Sequence, residues 1–276
     1  MTEVRNQGPF RIVASDLDGT LLAPNHQLSD FTKQTLKQLH QQGYTFIFAT
    51  GRHHVDVAGI RELAGIPAYM ITSNGARVHD QNDNLMYSKN VPEQLVQPVI
   101  DVIHQQNPDI FIHMYRNENW LINREDQVLR AFHNESGFSY KLFEPNAAPV
   151  AGIAKVFFTH PDKDHECLAR FEQQLNQQFG DQLNVSFSTP WCLEVMAADV
   201  SKGEALNAVA KSLGLELENC IAFGDGMNDK EMLEMAGKGL IMGTAHDRLI
   251  QALPENEVIG SHADDAVAHY LVDHLL

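Results

Sequence analysis

Cysteine is scarce and positive charge is short in this chain of 276 residues. The three cysteines, Cys167, Cys192 and Cys220, are odd in number and far apart. With no CxxC pair, neither a zinc knuckle nor a disulfide framework organises the fold, and a reducing compartment is the natural setting. Lys and Arg number 20 against 36 Asp and Glu, a formal net charge of -16. That balance argues against nucleic-acid and anionic-membrane partners, which are held through basic patches. No apolar run approaches the roughly 20 residues that cross a bilayer, and the polar stretch 1–7 lacks the apolar core of a secretion signal. A soluble cytoplasmic protein is expected, with no membrane and no nucleic-acid partner. Repeats and low-complexity tracts are missing too, while 43% apolar residues suffice for a core. The length suits one large or two modest domains.

The first third alternates strands with helices. An apolar strand over 10–14 is followed by a helix that Ser29 caps, with Phe31, Leu36 and Leu39 at helical spacing and Gly43 beyond its end. A β-branched and aromatic strand spans 44–49, a helix 54–63 and a strand 68–72, with a hairpin over 77–87 turning at Asn82-Asp83-Asn84. This alternation predicts an α/β fold with a doubly wound, Rossmann-like parallel sheet. From about 91 to 198 the pattern breaks into short strands at 110–115, 140–143, 155–159, 185–188 and 193–196. Helices are predicted among them at 92–105, 124–136 and 164–178, which suits a separate α+β unit. After Ser201 the alternation returns, with a helix at 202–213, a strand at 220–223, a helix at 230–236, a strand at 240–242 and a closing helix from Asp264. The expected organisation is a discontinuous core, 1–84 and 199–276, with an α+β cap inserted at 85–198.

Four short signals fall at predicted strand ends of the core. Asp16-Leu17-Asp18-Gly19-Thr20 puts two carboxylates one residue apart after the first strand. On a strand, side chains two apart share a side, so both acids are expected to face one small volume. Two close anions raise each other's pKa unless a cation sits between them. Thr50-Gly51-Arg52, Lys202 within Val200-Ser201-Lys202-Gly203, and Gly224 to Asp229 are the other three. In an open α/β sheet, ligands bind beyond the carboxyl ends of the strands, where all four meet. Each alone has a plain explanation: an Asx turn, a helix cap, a surface lysine, a loop without the spacing of an EF-hand. Their convergence is what argues for a site. His53 and His54 are adjacent and cannot chelate one ion from a helix; they are expected at a helix start or rim.

The four signals in this order resemble the haloacid dehalogenase-like phosphatases, and the insert resembles the larger cap of their Cof-type branch. Phe48-Ala49-Thr50-Gly51-Arg52-His53-His54, the run Ile71 to Arg77, and Cys192-Leu193-Glu194-Val195-Met196 are most similar to bacterial pyridoxal phosphate phosphatases of that branch. The resemblance implies a Mg2+-dependent phosphatase acting on a small phosphorylated metabolite, with pyridoxal 5′-phosphate the leading candidate. It implies that Asp16 is the nucleophile and Asp18 the general acid and base. Mg2+ would rest on Asp16, the backbone carbonyl of Asp18 and Asp225, with Thr50, Gly51, Lys202 and Asn228 on the phosphoryl oxygens. Asp229 would orient Lys202 or a metal-bound water.

Ser73 and Asn74 follow a core strand and are candidates for substrate contact. In the cap, Trp120, Tyr115, Trp191 and Glu194 are candidates too, against the plainer reading of the aromatics as cap core. Other readings stay open at this point: a sugar-phosphate phosphatase of the same type, a phosphotransferase or phosphomutase, or a non-catalytic phosphate-ligand sensor.

Overall fold

The computed structural model describes residues 8–127, 129–130 and 138–276. Its largest sheet has eight strands in the order β14-β13-β12-β1-β2-β3-β4-β5. At its centre lie β1 (Ile12–Ser15), β2 (Thr45–Ala49), β3 (Ala68–Thr72), β12 (Cys220–Gly224) and β13 (Lys238–Ile241), all parallel. β4 (Arg77–His79) and β5 (Leu85–Ser88) form an antiparallel hairpin on one edge, and the short parallel β14 (Glu257–Val258) closes the other. Such central strands are largely apolar because helices cover both faces.

The helices are α1 (Asp30–Gln41), α2 (His54–Ala64), α5 (Lys202–Ser212), α6 (Lys230–Met235), α7 (Asp247–Ala252) and α8 (Ala266–Leu275). Val13, Phe46, Phe48, Ile221 and Phe223 pack under α1 and α8, while Ile12, Ile47, Ile71 and Ala222 pack under α5. Ser29 caps α1 by accepting from Thr32 N, as its sequence position predicts.

The second sheet orders its six strands β10-β11-β9-β6-β7-β8. These are β6 (Phe111–Arg116), β7 (Asn119–Ile122), β8 (Tyr140–Leu142), β9 (Ile153–Thr159), β10 (Leu183–Thr189) and β11 (Cys192–Ala197). Pleat alternation sorts its residues. Ile112, Met114, Val156, Phe158, Leu193 and Val195 form an apolar face with α3 (Glu93–His104) and α4 (His165–Phe179). The other face carries His113, Tyr115, Lys155, Phe157 and Glu194, with Tyr115 opposite Lys155 and Phe157 opposite both His113 and Glu194. A sheet with one face already covered presents the other to the first sheet.

β5 pairs with β4 in the large sheet, as the hairpin expected over 77–87 requires. Two expectations are corrected. β7 was not foreseen: Asn117, at φ +47°, turns the chain so that Trp120 pairs with Tyr115, and pairing makes this short segment a strand. The first strand runs over Ile12–Ser15, so Asp16 follows it directly, whereas the strand predicted over 10–14 ended one residue earlier. The helix predicted over 124–136 falls largely outside the described residues. Among the described residues no helix is long and apolar enough to cross a membrane, and the three cysteines are free.

The two sheets meet partly through His53. Its Nδ1 accepts from Val55 N (3.2 Å) and caps α2, leaving Nε2–H to donate to the Asn117 carbonyl in the insert (2.7 Å). Burial holds this imidazole down to about 4, with the bond to Asn117 opposing the shift. The unfolded chain therefore takes up a proton near the ordinary value of 6.5, and the folded one does not until about 4. Stability from this group is complete above about 6.5, declines as pH falls, and is gone below about 4. His53→Asn retains a capping side chain without the titration. The expected result is a shallower fall in melting temperature between pH 6.5 and 4 than in the wild type.

Candidate active site

β12, β1 and β2 lie side by side, so the residues that follow their carboxyl ends converge. Asp16 N bonds to Phe223 O (3.0 Å) and Thr50 N to Ile71 O (2.8 Å), which carries the ladder one residue past each strand. At Gly19 the chain reverses with φ +78°, and a Cβ there would lie 2.4 Å from an Asp225 carboxylate oxygen. Glycine is thus required both for the turn and for the close approach to Asp225.

Lys202 enters from the first turn of α5, whose N-terminus Ser201 caps through Glu204 N. The lysine is fully buried. Its Nζ donates to Asp16 Oδ1 (2.5 Å) and to Asp229 Oδ1 (2.6 Å). The second oxygen of Asp229 accepts from the backbone N–H groups of Asp225 and Gly226 (3.0 and 2.9 Å). Asp229 is thereby tied both to the lysine and to the loop that carries Asp225. Thr20 Oγ1 donates to Asp225 Oδ1 (2.9 Å).

One ammonium faces three carboxylates here, so negative charge is in excess. Burial lifts Asp16 well above the usual carboxylate range; Lys202 pulls it back, and Asp229 and Asp225 push it up again. Burial and the Asp229 charge raise Asp225 to about 7. Burial disfavours the charge of Lys202, but Asp16 and Asp229 outweigh it and the pKa goes up. Carboxylate oxygens of Asp16, Asp225 and Asp229 lie within 4.8 Å of one another. A hard, all-oxygen donor set with surplus negative charge fits Mg2+.

Asp18 lies otherwise than strand alternation suggested. The chain has left the strand, and the Asp18 carboxylate turns to Arg52, which donates from Nε (2.6 Å) and Nη2, with His26 Nδ1 at 3.2 Å. Burial works against its charge, but the bonds from His26 and Arg52 outweigh that and hold the carboxyl down at about 2. Asp16 and Asp18 line one cavity, yet only Asp16 joins the carboxylate cluster. Arg52 Nη1 also lies 3.5 Å from Asp56.

The cavity, about 330 Å³, is lined on the core side by Asp16, Asp18, Thr50, Gly51, Asp225 and Asn228. On the insert side it is lined by Tyr115, Lys155, Phe157, Ser188, Thr189 and Glu194. Tyr115 and Glu194 thus reach it as the sequence suggested. Trp120 does not: it is buried in the insert, stacked near His113 and Phe138. Trp191 is on the surface under Lys163. Ser73 and Asn74 are buried and do not line the cavity; Asn74 bonds to Glu194 and Asn228 instead. His53 and His54 are at the start of α2, as expected; His54 pairs with Glu118 (2.7 Å).

Lys155, Phe157 and His26 were not singled out from the sequence. Lys155 had a signal: a lone charge at a buried position of an otherwise apolar strand, Ile153–Thr159, demands a partner.

The chain matches the haloacid dehalogenase-like hydrolase family over residues 13–271. A Haemophilus influenzae relative is 47% identical over 264 residues, covering 95% of this chain and 96% of its own; its name gives phosphatase as a provisional assignment. A Yersinia pestis relative named HMP-PP phosphatase is 41% identical over 262 residues, covering 95% and 94% of the two chains. Among solved structures, a haloacid dehalogenase-like hydrolase from B. subtilis superposes with a TM-score of 0.83 at 24% identity, covering 97% of this chain and all of that one. That likeness bears on the fold.

Proposed function

Because the chain belongs to the haloacid dehalogenase-like hydrolase family, we propose that it is a phosphomonoesterase of small metabolites that works through an aspartyl-phosphate on Asp16. One observation carries this reading: the buried Asp16 carboxylate, held 2.5 Å from a buried lysine, at the floor of a cavity closed by a second domain. An Asp16 oxygen attacks phosphorus and the ester oxygen leaves with a proton from Asp18. Asp18 then takes a proton from water, which attacks the same phosphorus and frees Asp16. In the present arrangement Asp18 is ionised, the form the second step needs. Donation in the first step requires Arg52 to release it.

Lys202 and the Gly51 amide, with Thr50 and Asn228, face the charge that builds on the phosphoryl oxygens. Mg2+, held by Asp16, Asp225 and the Asp18 carbonyl, would let an anionic nucleophile meet an anionic phosphate. Asp229 acts through Lys202. The domain boundaries that go with this reading are a core of 8–88 and 199–276 and a cap of 89–198.

The cap face supports a flat organic group. Tyr115 and Phe157 stand edge to face with centroids 5.0 Å apart, beside the charged Lys155 and Glu194. An aromatic wall with two polar groups suits pyridoxal 5′-phosphate. The name of the Yersinia relative brings HMP-PP as a second candidate. The deciding experiment is phosphate release from pyridoxal 5′-phosphate, HMP-PP and a panel of sugar phosphates, with and without Mg2+. The expected result is Mg2+-dependent release with kcat/KM at least about tenfold higher for pyridoxal 5′-phosphate or HMP-PP than for any sugar phosphate. A sugar phosphate at the top of the panel would end the aromatic-wall argument and leave the reaction class standing.

A further inference from the structure

Three core residues outside the reacting cluster are tied to two buried cap charges by an unbroken run of contacts. Lys155 and Glu194 are both more than nine-tenths buried, on neighbouring strands of the cap sheet. Lys155 Nζ donates to Glu194 Oε1 (2.6 Å) and, across the domain boundary, to the Gly51 carbonyl (2.7 Å). It also lies over the rings of Phe157 and Tyr115, at 4.6 and 5.0 Å. The other oxygen of Glu194 accepts from Asn74 Nδ2 in the core. Asn74 Oδ1 in turn accepts from Asn228 Nδ2 (3.1 Å). The run thus begins at Gly51 and ends at Asn228, two of the four residues assigned to the phosphoryl group.

The backbone is arranged for this. Ser73, Asn74 and Gly75 have φ of +50°, +57° and +102° in succession. Non-glycine residues in this region are costly, and such strain persists where the surroundings enforce it. Asn74 N is anchored on the Thr50 carbonyl (3.1 Å), and a Cβ on Gly51 would lie 2.9 Å from Asn74 Oδ1. The amide of Asn74 therefore has one position, with its donor on the cap and its acceptor on Asn228. A buried lysine–glutamate pair is weak evidence for stability, since apolar residues of like volume commonly do as well. Its place between cap and core fits a task in the site.

We infer that Lys155 and Glu194 are positioning residues: seating the cap orients Asn228 through Asn74 and fixes the Gly51 peptide through its carbonyl. The phosphoryl cradle is complete only when the cap is seated. This rests on the phosphatase reading. It makes the cap necessary for turning over even a phosphate whose leaving group never reaches it.

The test compares acetyl phosphate, whose leaving group is too small to touch the cap wall, with p-nitrophenyl phosphate, whose ring reaches it. The variants are Lys155→Met/Glu194→Met, Asn74→Ala and Asn228→Ala, alone and combined, with melting temperatures recorded. The first two are expected to lower kcat at least about tenfold on both substrates. Asn74→Ala should lower it no further when Asn228→Ala is already present, since residues acting as one unit are not additive; the apolar pair, which also frees the Gly51 carbonyl, should keep part of its effect there. If the apolar pair fails to fold, Glu194→Gln, which keeps the shape and removes the charge, takes its place with the same expectation. Additive losses for Asn74→Ala and Asn228→Ala, or a loss for the pair confined to the KM of p-nitrophenyl phosphate, would overturn the inference and make the pair a reader of the organic group. Wild-type protein that releases phosphate from neither substrate would overturn the phosphatase reading, and this inference with it.

Discussion

Asp16→Asn is expected to abolish phosphate release, by about 10⁴-fold or more, while the protein stays folded. An amide of the same shape keeps an acceptor for Lys202 but cannot attack phosphorus, and removing the nucleophile of a covalent mechanism leaves only the residual effect of binding. Stability should not suffer. Asp16 is one of three clustered carboxylates, two of them buried, around a single ammonium, and burial and the Asp229 and Asp225 charges already push its pKa up. Removing that charge relieves repulsion at Asp225 and Asp229 as it removes an attraction to Lys202. Thermal unfolding without Mg2+ should therefore show a melting temperature equal to or above the wild type. A variant that unfolds would mean that the aspartate is chiefly structural.

Lys202→Met should do the reverse and damage fold and function together. The lysine is fully buried with Asp16 at 2.5 Å and Asp229 at 2.6 Å. Methionine has similar volume but leaves two buried carboxylates facing each other uncompensated. Breaking a buried pair from one side costs about 3–5 kcal/mol. The expected loss, read by denaturant unfolding without metal, is in that range. Adding Asp229→Asn to the same chain should restore part of the stability by removing one of the stranded charges. Activity should not return, since the positive charge that faced the phosphoryl oxygens is gone; losing one such contact lowers kcat by about 10²–10³. Recovery of both stability and turnover in the double variant would show that Lys202 only neutralises its neighbours.

The legible part of the site is the part written in consecutive residues. Asp16, Thr50 and Asp225 each follow directly on an apolar strand, and Lys202 opens a helix with a recognisable cap, so position and chemistry are read together. The core fold was legible for the same reason, since strands buried on both faces alternate with amphipathic helices.

Pairings across distance are what local reading does not reach. Arg52 is 34 residues from Asp18, and nothing local says that the arginine takes the carboxylate away from the cluster. Lys155 and Glu194 are 39 residues apart and meet only because β9 and β11 are neighbours. Each was visible as a charge in an apolar strand, yet the partner of each was hidden in the strand order. Asn74 looked like a loop residue at the catalytic edge; its burial follows from a cap sheet whose placement local sequence does not encode. β7 exists because Asn117 turns the chain and Tyr115 offers an edge, and neither is a property of the residues Asn119–Ile122 themselves. The edge strand β5 was legible, by contrast, because the Asn82-Asp83-Asn84 turn folds it back on β4 as a local hairpin.

The claim on which everything else depends is that Asp16 carries the phosphoryl group. It is tested most directly by mixing the protein with substrate and Mg2+, quenching in acid within a turnover, reducing with borohydride and locating the modified residue by peptide mass. An aspartyl-phosphate is reduced to homoserine, so homoserine at position 16 in the wild type, and none in Asp16→Asn, is the expected result. Steady phosphate release with Asp16 unmodified at every quench time, or homoserine at another aspartate, would contradict the account.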